Sequence, residues 1–139
     1  LLNVKKLDLQ AAVVLIEIES SEALERLLHR FKDCPRVVNI FTTLGGYNLI
    51  ALVMAEDQGT LESEAMGKCG LRSGEGIRRS EFYPIGTAPH APFIPLTLSA
   101  WRAAGEVTPC GVECRSCPSF RDQKCVGCPS TSCYHGPLR

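Results

Sequence analysis

Val37-Val38-Asn39-Ile40-Phe41-Thr42-Thr43-Leu44-Gly45-Gly46-Tyr47-Asn48-Leu49-Ile50-Ala51-Leu52-Val53-Met54-Ala55 reads as two short strands joined at a glycine pair. β-Branched and aromatic residues crowd both halves, which suits a pleated, half-buried surface. Gly45-Gly46 permits positive φ, so the chain can reverse there, with strands expected over residues 37–43 and 47–55. This hairpin is the centre from which the rest of the fold unfolds in both directions.

On its N-terminal side, Leu24, Leu27, Leu28 and Phe31 repeat at i, i+3, i+4, i+7, one apolar stripe of a helix. Ser20 and Ser21 can cap it, Glu22 and Glu25 suit its positive end, and Cys34-Pro35 ends it. Before it, residues 11–18 (AAVVLIEI) read as a strand with Ala12, Val14, Ile16 and Ile18 on one face. On the C-terminal side, Glu56-Asp57-Gln58-Gly59 breaks the pattern, and Thr60 is expected to cap a second helix over 61–69. Gly70, Gly74 and Gly76 unwind that helix, and residues 77–85 form a fourth strand. The order is β-α-β-β-α-β: an α+β, ferredoxin-like domain over 11–88. Two helices cover one face of such a sheet, so the other face must be buried elsewhere, and a homodimer is expected.

Residues 41–53, followed by Glu56-Asp57 and Thr60-Leu61, resemble the effector domain of the Lrp/AsnC (leucine-responsive, feast/famine) transcriptional regulators. The opening Leu2-Asn3-Val4-Lys5-Lys6-Leu7-Asp8-Leu9 is similar to the segment that enters that domain from its DNA-binding half. The resemblance covers roughly residues 3–86. It implies an N-terminal helix-turn-helix domain absent from this chain, leaving residues 1–10 as its linker. It also implies dimers assembling into larger rings, with an amino-acid effector bound between dimers near the glycine hairpin. The corresponding loop here is Thr43, Gly45, Gly46, Tyr47 and Asn48. Gly46 and Asn48 stand where the family usually carries an acidic residue, so free amino acids are expected to bind weakly or not at all.

The composition changes after a proline-bearing connector over 89–109 (Pro89, Pro92, Pro95, Pro109), which has room for a short helix around 99–104 with Trp101 as an anchor. Six of the eight cysteines fall within 110–139: Cys110, Cys114, Cys117, Cys125, Cys128 and Cys133. Their spacing, C-x3-C-x2-C-x7-C-x2-C-x4-C, contains two C-x2-C pairs, Cys114/Cys117 and Cys125/Cys128. A tight turn in each pair lets two thiolates converge on one ion, the usual source of a tetrahedral S4 zinc site. An iron–sulfur cluster and a disulfide knot are the alternatives. The segment has too few apolar residues to fold alone, so the metal would supply its folding energy. Cys110 and Cys133 are spare in a four-thiolate site, and His135 is a bystander. Cys34 and Cys69 lie inside helical patterns and read as small buried apolar side chains.

The remaining features narrow the function. Fifteen basic residues balance fifteen acidic ones, which removes any global reason to bind nucleic acid or acidic lipid, and Arg78-Arg79 reads as the solvent face of a strand. No apolar run approaches the ~20 residues of a membrane helix, and a cytoplasmic location is expected. The chain opens on Leu1, so it is expected to be part of a longer protein. There is no phosphate loop, nucleophile motif or histidine–carboxylate constellation, so an enzyme is not expected; His29 and His90 have no such partner in sequence. Against the regulator reading stand an iron–sulfur or thiol redox protein and a small oxygenase on a dimeric ferredoxin-like fold.

Overall fold

The hairpin forms, and around it β2 (Gln10–Ile18), β3 (Val37–Thr42), β4 (Leu49–Ala55) and β5 (Ile77–Pro84) pair antiparallel in the order β3-β4-β2-β5. The computed structural model describes residues 2–3, 6–91, 93–95 and 105–137. Two helices, α1 (Ser21–Phe31) and α2 (Gln58–Met66), complete the β-α-β-β-α-β, ferredoxin-like α+β arrangement. A separate ribbon pairs β1 (Leu2–Asn3) with β6 (Phe93–Ile94), tying the opening residues to the connector. The short helix around 99–104 and the Trp101 anchor lie outside the described residues.

The core follows from alternation. Ala12, Val14, Ile16 and Ile18 of β2 face the helices with Leu49, Ala51, Val53 and Ala55 of β4, and all eight are buried. Ser20 caps α1 by accepting the Ala23 N–H at 3.1 Å. The buried stripe of α1 is Ala23, Leu27 and Phe31, while Leu28 is exposed, so the helix is rotated slightly from the expected face.

Three expectations are corrected. Asp57, not Thr60, caps α2: its carboxylate accepts the Thr60 N–H at 2.7 Å, and the helix starts and ends about three residues early. A carboxylate at the positive helix end is the stronger acceptor, which frees the Thr60 hydroxyl for another contact. Gly45 and Gly46 do not take positive φ. Their loop is closed by Thr43, whose N–H donates to the Asn48 carbonyl (3.0 Å) and whose Oγ1 donates to that of Tyr47 (2.6 Å). Cys34 and Cys69 sit beyond the ends of α1 and α2, not inside helices.

The second sheet face is partly covered by the chain's own tail. Met54 is fully buried although it alternates away from the helices, because Tyr134 packs with it and with Leu9, and Val126, Val38 and Leu52 pack against this group. Farther along the same face, Val13, Leu15 and Ile50 are only half-buried, and Phe41 and Tyr83 are 53% and 51% exposed.

Candidate metal centre between domain and tail

Residues 105–137 dock on the domain through a few specific contacts. The Arg30 Nε donates to the Cys110 carbonyl at 3.1 Å. The Thr60 hydroxyl freed from capping accepts the Val126 N–H at 3.1 Å. Arg36 donates to the Gly127 carbonyl. Gly59, in the first turn of α2, lies so close to the Lys124 carbonyl that a Cβ would collide with it. Within the tail, Gly111 and Gly127 take positive φ (88° and 89°) at its turns. Cys114–Ser116 forms a 3₁₀ turn, and Pro118 opens the one-turn α3 (Pro118–Arg121).

The docked tail closes a cavity of about 60 Å³ against α1, α2 and the helix face of the sheet. Five tail cysteines line it (Cys110, Cys114, Cys117, Cys125, Cys128), and so do Cys34 and Cys69 of the domain. Pockets for drug-sized organic ligands run to roughly 300–1,000 Å³; this space is far smaller. Burial pushes the Cys34 and Cys69 thiols up to about 12 and Cys128 to about 11; nearby thiols add to all three rises, and Glu64 to those of Cys34 and Cys69. Such thiols keep their protons until a cation competes for the sulfur. All eight cysteines are free thiols. Among the described residues, no three Cys, His, Asp or Glu side chains are drawn together as around an ion. Cys133 lies off the cavity beside Arg115, and His135 is exposed, its ring centre 5.7 Å from that of Phe120.

Beside the thiols lies a buried charge cluster. Arg36 pairs bidentately with Glu56 (2.6 and 2.9 Å), while its Nε lies 3.5 Å from Glu64. Both Glu64 carboxylate oxygens are buried and accept no hydrogen bond, and the side chain lines the cysteine cavity. Burial pushes the Glu64 carboxyl up to about 8, Arg36 opposing and Glu56 adding to the rise. One guanidinium serves two carboxylates here, and Glu56 takes the better geometry.

The hairpin residues are placed otherwise. Asn48 spends its side chain on the backbone of Ile18, accepting that N–H at 2.9 Å and donating to that carbonyl at 3.0 Å. It stitches the loop to the β2 end where the pairing with β5 slips. Tyr47 carries Arg79 over its ring at 4.3 Å, and Arg79 in turn binds Glu17 at 2.7 Å. Thr43 closes the loop, and Gly45 and Gly46 are exposed. Sequence spacing missed Cys34, Cys69 and Glu64 as neighbours of the tail; the one available signal was a total of eight cysteines, more than one four-thiolate site uses.

Residues 11–82 match the model of the Lrp/AsnC ligand-binding domain. Solved structures with the same fold include AsnC of E. coli (17% identity, TM-score 0.52, covering 59% of this chain and 54% of that one). A transcriptional regulator of Neisseria meningitidis in complex with L-Met aligns at 18% identity and TM-score 0.56, covering 66% and 59%. An AsnC family transcriptional regulator from Agrobacterium tumefaciens aligns at 20% and 0.54, covering 71% and 64%. The match thus spans little more than half the length of these regulators. No curated protein matches the chain. Among the described residues, no helix is long and apolar enough to cross a membrane.

Proposed function

Because this chain belongs to the Lrp/AsnC family of transcriptional regulators, we propose that residues 11–88 are the effector-binding and oligomerisation domain of such a regulator and that the tail adds a cysteine-held zinc site. The observation that carries the metal half is the small cavity lined by five tail cysteines, both C-x2-C pairs among them. In that reading the zinc is structural or reports on metal or redox state, the protein is not an enzyme, and it works in the cytoplasm, where thiols stay reduced. Cys114, Cys117, Cys125 and Cys128 hold the ion, which fixes the tail against the domain and supplies folding energy the tail's few apolar residues lack.

The half-buried face around Val13, Leu15 and Ile50 supports a homodimer, and family membership a higher assembly. DNA is engaged through a domain outside this chain. A small-molecule effector meets the hairpin through Thr43, Tyr47 and the Gly45-Gly46 backbone, since Asn48 is already committed. Elemental analysis of the chain purified without chelator, paired with light scattering, tests both halves. Bound zinc and a dimer or larger particle are expected. A metal-free chain with its tail still docked overturns the metal half, and a monomer at micromolar concentration overturns the assembly half.

A further inference from the structure

We propose that Cys34, Cys69 and Cys110, with the carboxylate of Glu64, form a second site for a thiophilic divalent cation, separate from the C-x2-C pairs and shared between domain and tail. Two C-x2-C pairs already satisfy one tetrahedral ion. Cys34 and Cys69 come from the loops that follow the two helices, so neither is placed by the tail's own turns. Cys110 packs with Cys34 against the domain's main core cluster, and the Arg30 side chain holds the Cys110 carbonyl. All three thiols line the same cavity as Glu64.

Glu64 supplies the independent observation. Its side chain is 91% buried, and its neighbouring guanidinium spends both Nη atoms on Glu56 and Gly127, leaving only an Nε contact at 3.5 Å. Both oxygens lack a hydrogen-bond partner. A buried carboxylate without hydrogen bonds is costly, and an ion is one of the few things that compensates it. Three sulfurs and one oxygen make a four-coordinate donor set that zinc accepts and that hard cations such as magnesium do not. Among the described residues the sulfurs are not drawn to a common point, so binding the ion requires their side chains to rearrange within the cavity they line. Each thiol that binds, and the Glu64 carboxyl where it is protonated, surrenders one proton to water, and no electron moves. Such an ion staples α2 and the loops after both helices to the tail directly, so the tail's attachment reads out the ion's presence.

The test uses the full chain, with zinc for stoichiometry and cobalt(II) as the spectroscopic probe. Wild type is expected to bind two zinc ions. Cys34→Ala, Cys69→Ala and Glu64→Gln should each lose one of them, or weaken it at least about tenfold, and diminish only part of the thiolate-to-cobalt absorption. Cys125→Ala should remove the other ion, and Cys133→Ala neither. If Cys34→Ala and Cys69→Ala retain every ion that wild type holds, the second site is refuted while the tail site stands. An ion that depends on Cys34 and Cys69 but survives Cys125→Ala supports the second site and removes the tail site instead. A wild-type chain that binds neither metal refutes both. Should the alanine variants unfold by circular dichroism, alkylation of the wild-type thiols decides: zinc should slow modification of Cys34, Cys69 and Cys110 at least about tenfold, and unchanged rates refute the site.

Discussion

Replacing Arg36 by methionine should be the most damaging single change on the seam, and its cost follows from what the guanidinium touches. Arg36 stands just before β3 and joins Glu56, Glu64 of α2 and the Gly127 carbonyl of the tail. Its side chain is 9% exposed and that of Glu56 only 1%. Burial disfavours its charge, but Glu56 and Glu64 together hold the guanidinium more firmly protonated than in water. Methionine fills a similar volume yet leaves the Glu56 carboxyl buried without its partner and the Gly127 carbonyl without its donor. Breaking a buried pair from one side costs about 3–5 kcal/mol. At about 3–4 °C per kcal/mol for a chain of this size, the midpoint should fall by roughly 10–20 °C. The double variant Arg36→Met/Glu56→Leu should recover most of that loss, because well-packed apolar replacements of a buried pair are often nearly neutral. Urea denaturation followed by circular dichroism measures both, and limited trypsin digestion reports whether the tail is released along with Gly127. A single variant that loses less than about 1 kcal/mol, or a double variant no better than the single, would falsify the argument, since the cluster would then behave as a solvated surface pair.

Three further outcomes are expected. Gly59→Ala should destabilise the chain by about 1–3 kcal/mol through overpacking against the Lys124 carbonyl, although alanine is the better helix former; a rise in midpoint would mean that the tail does not press on α2. Asn48→Asp should cost about 1–3 kcal/mol, because it sets a carboxylate oxygen against the Ile18 carbonyl where an amide now donates; an unchanged midpoint would show that the loop is not held this way. Leu15→Lys should shift the particle to monomer in light scattering while the sheet stays folded, since Leu15 lies on the open face opposite Glu81 of β5, a carboxylate partner for the new ammonium; a particle of unchanged size would place the contact elsewhere.

Period and local chemistry determined much of this protein from sequence alone. The two-residue alternation of β2 and β4 specifies which face is buried, and Ala12, Val14, Ile16 and Ile18 lie where it puts them. The glycine pair marks the reversal between β3 and β4, although Thr43 and not positive φ closes it. The two C-x2-C pairs mark the tail as the place of unusual chemistry, because ligands two residues apart are brought together by one turn whatever the rest of the chain does. Only the tertiary structure decided what the tail meets. Arg30 reaches Cys110 across 80 residues and Arg36 reaches Gly127 across 91, separations at which no local propensity carries information. For the same reason Cys34, Cys69 and Glu64 look like an apolar filler, another filler and a helix-surface acid in sequence. In the fold, Arg30 near the end of α1 reaches the Lys68 carbonyl just after α2, and the tail closes a cavity over the same region. Asn48 makes the point in reverse. Its position in the loop suggested a ligand contact, but the end of β2 stands beside it and takes both of its hydrogen bonds first.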